Sequence, residues 1–305
     1  MDNRILSINS QGFEIGPVRL QIASMERSIT FYEGELGFVV LSRSPDPVVL
    51  GAEDGRPLVL LSEMPEAEAR STATTGLYHF AILLPERADL GRCFKNLLDR
   101  GVPLQGAADH LVSEAIYLPD PDGNGIELYA DRPRNEWQFQ NGGLQMATLP
   151  LDAEGLLREG KGTSNWSVFP AGTKMGHMHL QVSHLKPAEA FYEEVIGFDL
   201  MVRLEPSAAF YSVNGYHHHL GINTWAGEGA PMPPANAVGL RYYLLTIPET
   251  EAFDNLTKRL SNADVVIENT AGAYFVRDPS HNGILICQEF NEDRVAFADE
   301  AAQRI

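Results

Sequence analysis

Cysteine is scarce: the chain has two, Cys93 and Cys287, in 305 residues. Neither belongs to a CxxC pair, which excludes a disulfide framework and a cysteine-built structural zinc site. Basic residues are also few, 23 Lys and Arg against 41 Asp and Glu, for a formal charge of −18. Such a surface repels phosphate backbones, so no nucleic-acid partner is expected, and solubility is the plainer reading of the charge. No run of roughly 18 apolar residues occurs, so no membrane partner or membrane span is expected. The stretch MDNRILSINSQGFEIG lacks the apolar core and cleavage site of a signal peptide. These absences together point to a reduced, cytoplasmic setting.

What the chain does have is internal repetition. VRLQIASMERSITFYEGELGFVV from Val18 is echoed by MHLQVSHLKPAEAFYEEVIGFDL from Met178, and LYHFAILLPERADLGRCFKNLLDRG by LRYYLLTIPETEAFDNLTKRLSN. The second pair of segments runs on into DPDGNGIELYAD from Asp120 and DPSHNGILICQEF from Asp278. Four related units follow, near 17–64, 76–131, 176–226 and 239–290. Each opens with a strand of alternating apolar residues, such as HFAILL. A helix comes next, with Leu90, Phe94, Leu97 and Leu98 at helical spacing in unit two, and Gly37, Gly101 and Gly197 fall where helices end. Further strands separated by Gly, Pro, Asp and Asn turns close the unit.

The reading is α+β, four βαβββ units that bury one sheet face each and pair into two open, barrel-like sheets around cavities. In chain order this gives a first pair of units (1–135), a connector with a short helix at LDAEGLLREG (136–170), a second pair (171–291) and a charged, peripheral tail (292–305).

Paired βαβββ units carrying ERSITFY, LGF, HFAILLP, DPDGNGIELY and AFYEEVIGF resemble the vicinal oxygen chelate superfamily. That fold hosts dioxygenases, glyoxalases, epimerases and antibiotic-binding proteins, so the chemistry has to be argued from the site. The resemblance implies metal ligands at the start of a unit's first strand and on its last strand. Unit two has His79 and Glu127 there, and unit three has His177; the matching places in units one and four are Pro17, Tyr242 and Leu285. A lone strand histidine is more often a hydrogen-bonded core residue than a ligand. A carboxylate inside GIELYA is harder to explain that way, because unpaired burial is costly.

Two histidines and one carboxylate suit Fe(II) oxygenases, with Mn(II) as an alternative. Sequential pairing would put His79 and Glu127 in one cavity and His177 in another, so unit two is expected to face unit three. The rival arrangement completes the site across the interface of a homo-oligomer.

The resemblance further implies an extradiol ring-cleaving enzyme similar to catechol 2,3-dioxygenases, taking a small aromatic diol and O2. Tyr117 stands ten positions before Glu127, where the family has a tyrosine, and His110 precedes it in DHLVSEAIY. Tyr216-His217-His218-His219-Leu220 resembles the paired histidines of such enzymes. Strand alternation would send His218 to one face and His217 and His219 to the other. His218 is the first candidate for the acid–base residue and His219 the second. Asp109, Asn223 and Trp225 are candidate pocket residues. A glyoxalase-type isomerase would recruit a second glutamate and Zn(II) or Ni(II), and a metal-free binding protein would need none of the three ligands.

Overall fold

The computed structural model describes residues 8, 10–43, 46–140, 143–161 and 166–304. Unit one consists of β1 (Glu14–Ile22), α1 (Met25–Ile29), β2 (Val39–Ser42), β3 (Val48–Gly51) and β4 (Pro57–Glu63). Unit two has β5 (Gly76–Leu83), α2 (Arg87–Arg100), β6 (Gly106–Asp109), β7 (Ser113–Pro119) and β8 (Gly125–Asp131). The connector carries a small hairpin, β9 (Phe139–Gln140) and β10 (Gly143–Leu144), and α3 (Ala153–Glu159). Unit three has β11 (Lys174–Gln181), α4 (Leu185–Ala190), β12 (Asp199–Leu204), β13 (Ala208–Ser212) and β14 (Leu220–Asn223). Unit four has β15 (Gly239–Thr246), α5 (Thr250–Asn262), β16 (Ile267–Thr270), β17 (Ala273–Arg277) and β18 (Gly283–Cys287), followed by α6 (Glu292–Arg304). Among the described residues no helix is long and apolar enough to cross a membrane.

Local chemistry accounts for these elements. Glu86 and Asp89 form a reciprocal capping box at the start of α2, and Gly101 ends it in the left-handed region, φ 68°. Leu90, Phe94 and Leu97 are buried, whereas Leu98, at the edge of the same stripe, is exposed. The FYE segments wind as π-helical turns, Thr30–Leu36 and Phe191–Ile196. Each DP turn is organised by its aspartate. Asp120 accepts from the backbone of Asp122 and Asn124, and Asp278 from that of Ser280 and Asn282. Tyr32 donates to Asp120 and Tyr192 to Asp278, at 2.9 Å each. The two most repetitive pieces of sequence thus clasp each other.

Sheet pairing runs out of chain order. Strands β16-β17-β18-β15-β1-β4-β3-β2 form one eight-stranded sheet from units four and one. The other, β12-β13-β14-β11-β5-β8-β7-β6, joins units three and two. Each half of the chain gives one unit to each sheet, so unit two does face unit three within a single chain.

The tail is not peripheral. Helix α6 buries Val295, Ala298 and Ala301, and its alanines pack with Tyr242, Leu244, Phe275, Leu285 and Cys287 on the face of the first sheet. Asp299 accepts two bonds from Arg19, at 3.0 and 2.8 Å, and one from the Tyr242 hydroxyl at 3.0 Å. Apolar spacing on an otherwise charged segment drives this burial.

Candidate metal centre

In the second sheet, residues one row apart across the strands share a face, and so do residues two apart along a strand. Ala81 on β5 lies beside Glu127 on β8 and beside His177 on β11, while Tyr117 on β7 lies beside Glu127. His79, two residues before Ala81, pairs with His179. Tyr117, Glu127, His177, His79 and His179 therefore share one concave face, and Ala81 leaves room at its centre. The intervening Phe80, Ile82, Met178 and Leu180 are fully buried in the main apolar core.

The three expected ligands converge. One donor atom each from His79, Glu127 and His177 falls within 4.8 Å of the others, and all three residues are buried. Nε2 of each histidine is 3.1 Å from Glu127 Oε2. Only His177 makes a hydrogen bond there; His79 Nε2 is buried with no partner. An orphaned imidazole nitrogen beside a buried carboxylate is costly as it stands and fits a shared cation. Burial works to raise the Glu127 carboxyl, but His177 and His79 hold it well below the usual carboxylate range. Burial, opposed by Glu127, takes His177 down to about 4, so its ring is neutral near pH 7 and has a lone pair to offer a metal.

An approximate two-fold relates the two units of this sheet. His79 matches His177, and Ala81 beside Glu127 matches His179 beside Gly221. The place of a second carboxylate is therefore held by glycine. A Cβ there would come within 2.9 Å of His179 Cδ2 and 3.1 Å of Phe210 Cε1, so a glutamate does not fit beside His179. Among the described residues the donor set stops at three, which would leave positions open on a bound metal.

Tyr117 and His110 sit together at the rim. His110 Nδ1 donates to the Ala147 carbonyl at 2.7 Å, so the neutral ring has a bare Nε2 that accepts from the Tyr117 hydroxyl at 2.6 Å. Burial, with Glu127 nearby, raises Tyr117 well above the usual phenol range. His218 packs on His177 with ring centroids 4.0 Å apart. His217 lies in the same cluster, contrary to strand alternation. Asn214 and Gly215 turn with φ of 57° and 65°, and residues 215–219 run irregularly into β14. The structure does not bring His219 to the cluster: its Nδ1 accepts from Val213 N, and its ring packs on Phe13 and Tyr216.

Asp109 accepts from Arg132 and from Leu111 N, an architectural role. Asn223 donates to His179 Nε2 at 2.9 Å and accepts from Trp225 N. Trp225, Tyr78 and Phe210 ring His179 at centroid distances of 5.0–5.5 Å, making an aromatic wall. His179, Tyr78 and Phe210 were not anticipated from sequence. His179 could have been found from the His-x-His spacing in β11, which puts both rings on one face.

A family model described as the glyoxalase/bleomycin resistance protein/dioxygenase superfamily matches residues 14–128 and 174–286. The chain belongs to that superfamily. A catechol-2,3-dioxygenase of Bacillus subtilis (strain 168) is 47% identical over 268 residues, covering 87% of this chain and 93% of that protein. Solved structures share the fold at low identity. A putative dioxygenase from Bacillus subtilis has a TM-score of 0.60 at 13% identity, covering 93% of this chain and 89% of its own. Glyoxalase I from Zea mays has a TM-score of 0.56 at 14% identity, covering 94% and 95%. This superfamily member thus keeps the paired-unit scaffold, with one sheet carrying a candidate ligand set and the other covered by its own last helix.

Proposed function

We propose that the chain is an extradiol ring-cleaving dioxygenase that takes a catechol-like aromatic diol and O2, with Fe(II) held by His79, Glu127 and His177. One observation carries the reading: three candidate ligands converge beside an aromatic wall, with Gly221 where a fourth would stand. The identity to a catechol-2,3-dioxygenase along most of the chain supports it. The same glycine weighs against a glyoxalase-type isomerase with two glutamates. Mn(II) suits the same donors and remains an alternative occupant.

When bound, the metal would supply Lewis acidity toward the two diol oxygens and a path for electrons between diol and dioxygen. The rest of the work falls to side chains. His218, stacked beside His177, accepts a phenolic proton as general base and returns it later in the cycle. Tyr117 presents its hydroxyl to the substrate oxygens, and His110 fixes its direction through the 2.6 Å bond. Protonation of His110 would reverse that bond and make Tyr117 a donor toward developing negative charge. Trp225, Tyr78 and Phe210 offer ring faces to an aromatic substrate. The hairpin segment adds Trp137, Leu144 and Met146, which pack with Val112 and Tyr216.

The test is anaerobic loading with Fe(II), then catechol, then air. A yellow ring-opened semialdehyde with one O2 consumed per product supports the reading. Absence of turnover with both Fe(II) and Mn(II) across catechol, alkylcatechols, chlorocatechols and hydroquinone would overturn it.

A further inference from the structure

Behind His218 runs a chain of polar contacts that the proposed reaction does not yet use. His217 is fully buried, and its Nε2 lies 2.9 Å from Asp131 Oδ1. A carboxylate only accepts, so Nε2 carries the proton and Nδ1 of the neutral ring is bare. That Nδ1 faces His218 Nδ1 at 2.8 Å. Two facing nitrogens bond only when one of them is protonated, so His218 Nδ1 is the donor. His218 is thereby the Nδ1–H tautomer. Its bare Nε2 lies at the opposite edge of the imidazole, without a hydrogen-bond partner among the described residues.

Asp131 is itself well anchored. It accepts from Tyr216 at 3.0 Å, and the Tyr216 hydroxyl bonds that of Tyr129 at 2.8 Å. Asp131 ends β8, the strand that carries Glu127 four residues earlier. One rigid strand therefore sets both the carboxylate ligand and the anchor behind His218.

We propose that His217 and Asp131 are positioning residues that fix the tautomer and ring orientation of His218, so that its bare Nε2 meets a diol hydroxyl. This rests on His218 being the base of the proposed reaction. Neither residue touches substrate; both act through His218. Orientation of a functional imidazole by its other nitrogen is the usual way that such a ring's tautomer is chosen.

Two measurements test this. In the metal-free protein, long-range proton–nitrogen NMR of 15N-histidine, assigned with His218→Asn and His217→Asn, should show His217 protonated at Nε2 and His218 at Nδ1. A His218 protonated at Nε2 overturns the proposal, and this measurement stands even if a variant fails to fold. In the iron-loaded enzyme, His217→Phe removes the acceptor and should lower kcat by roughly 10- to 100-fold, with KM for catechol within about twofold. His217→Asn, whose amide oxygen takes the place of Nδ1, should recover most of the loss. An unchanged kcat in His217→Phe, while His218→Asn is impaired, sinks the positioning role alone. An unimpaired His218→Asn sinks the base assignment and the positioning role with it.

Discussion

Whether Gly221 truly stands in place of a second ligand is tested by rebuilding that ligand. On one side of the two-fold a small residue, Ala81, makes room for Glu127; on the other a large one, His179, sits beside glycine. Gly221→Glu by itself forces a side chain to within 2.9 Å of His179 Cδ2. Overpacking of that kind costs about 1–3 kcal/mol. His179→Ala by itself leaves a void and strips Asn223 Nδ2 of its 2.9 Å acceptor, which costs about 1–3 kcal/mol for the unmet donor alone. In the double variant the new glutamate takes the space that the histidine gives up. The two changes should therefore couple, with the pair less destabilising than the sum by roughly 0.5–3 kcal/mol. Urea unfolding of the four proteins without metal reads this directly.

The double variant should also bind divalent metal more tightly, through a second anionic ligand, and lose ring cleavage because a position meant for substrate is filled. Additivity within about 0.5 kcal/mol would refute the shared-space reasoning. Retained dioxygenase turnover in a well-folded double variant would refute the open-position reasoning.

Other outcomes follow from single contacts. Glu127→Gln should abolish the metal-induced rise in melting temperature expected at saturating Mn(II), a stabilisation of about 2.7 kcal/mol at one hundred times Kd; an undiminished rise would mean that Glu127 is not a ligand. His218→Asn should lower kcat by about 10²- to 10⁴-fold, whereas His219→Asn should cost stability and leave kcat per folded molecule unchanged; the reverse pattern in oxygen-uptake assays would exchange their roles. Asp299→Ala leaves the buried Arg19 only the more distant Asp46, at 3.6 Å, and should cost about 1–3 kcal/mol in chemical unfolding, with kcat unaffected because α6 lies on the other sheet. Tyr32→Phe removes a hydroxyl from Asp120 and should lower stability by about 1–3 kcal/mol with metal affinity unchanged.

The convergence of His79, Glu127 and His177 was legible because the chain carries its own control. Units one and four hold Pro17, Tyr242 and Leu285 where units two and three hold His177, His79 and Glu127, so chemistry stood out against repetition. The crossed pairing was legible for a similar reason, since neither sequential pair could complete a donor set. Other features were hidden by context. His217 escaped because alternation assumes a strand, and the left-handed turn at Asn214-Gly215 keeps this stretch irregular. His179 escaped because its partner across the two-fold is Ala81, which signals nothing. Helix α6 was masked by its charge, although Val295, Ala298 and Ala301 repeat every three residues. That spacing makes a narrow apolar stripe, sufficient once a concave sheet face needs covering.

That need accounts for a candidate metal site and a plug side by side on one scaffold. A curved sheet with inward-facing polar groups cannot leave them bare, since each unmet buried group costs free energy of the order of a whole hydrogen bond. In the second sheet the inward charge is negative, Glu127 between two imidazoles, and the cation proposed above would balance it. In the first sheet the inward charge is positive: Arg19, at the place corresponding to His179, is buried with Asp299 against it. On the proposed reading, the sign of the inward residue selects the occupant, a mobile ion in one case and a tethered carboxylate in the other. Removing α6 would expose an arginine, a tyrosine and a leucine, which is a poor set for a divalent metal. Among the described residues only the sheet of units two and three brings a candidate ligand set together.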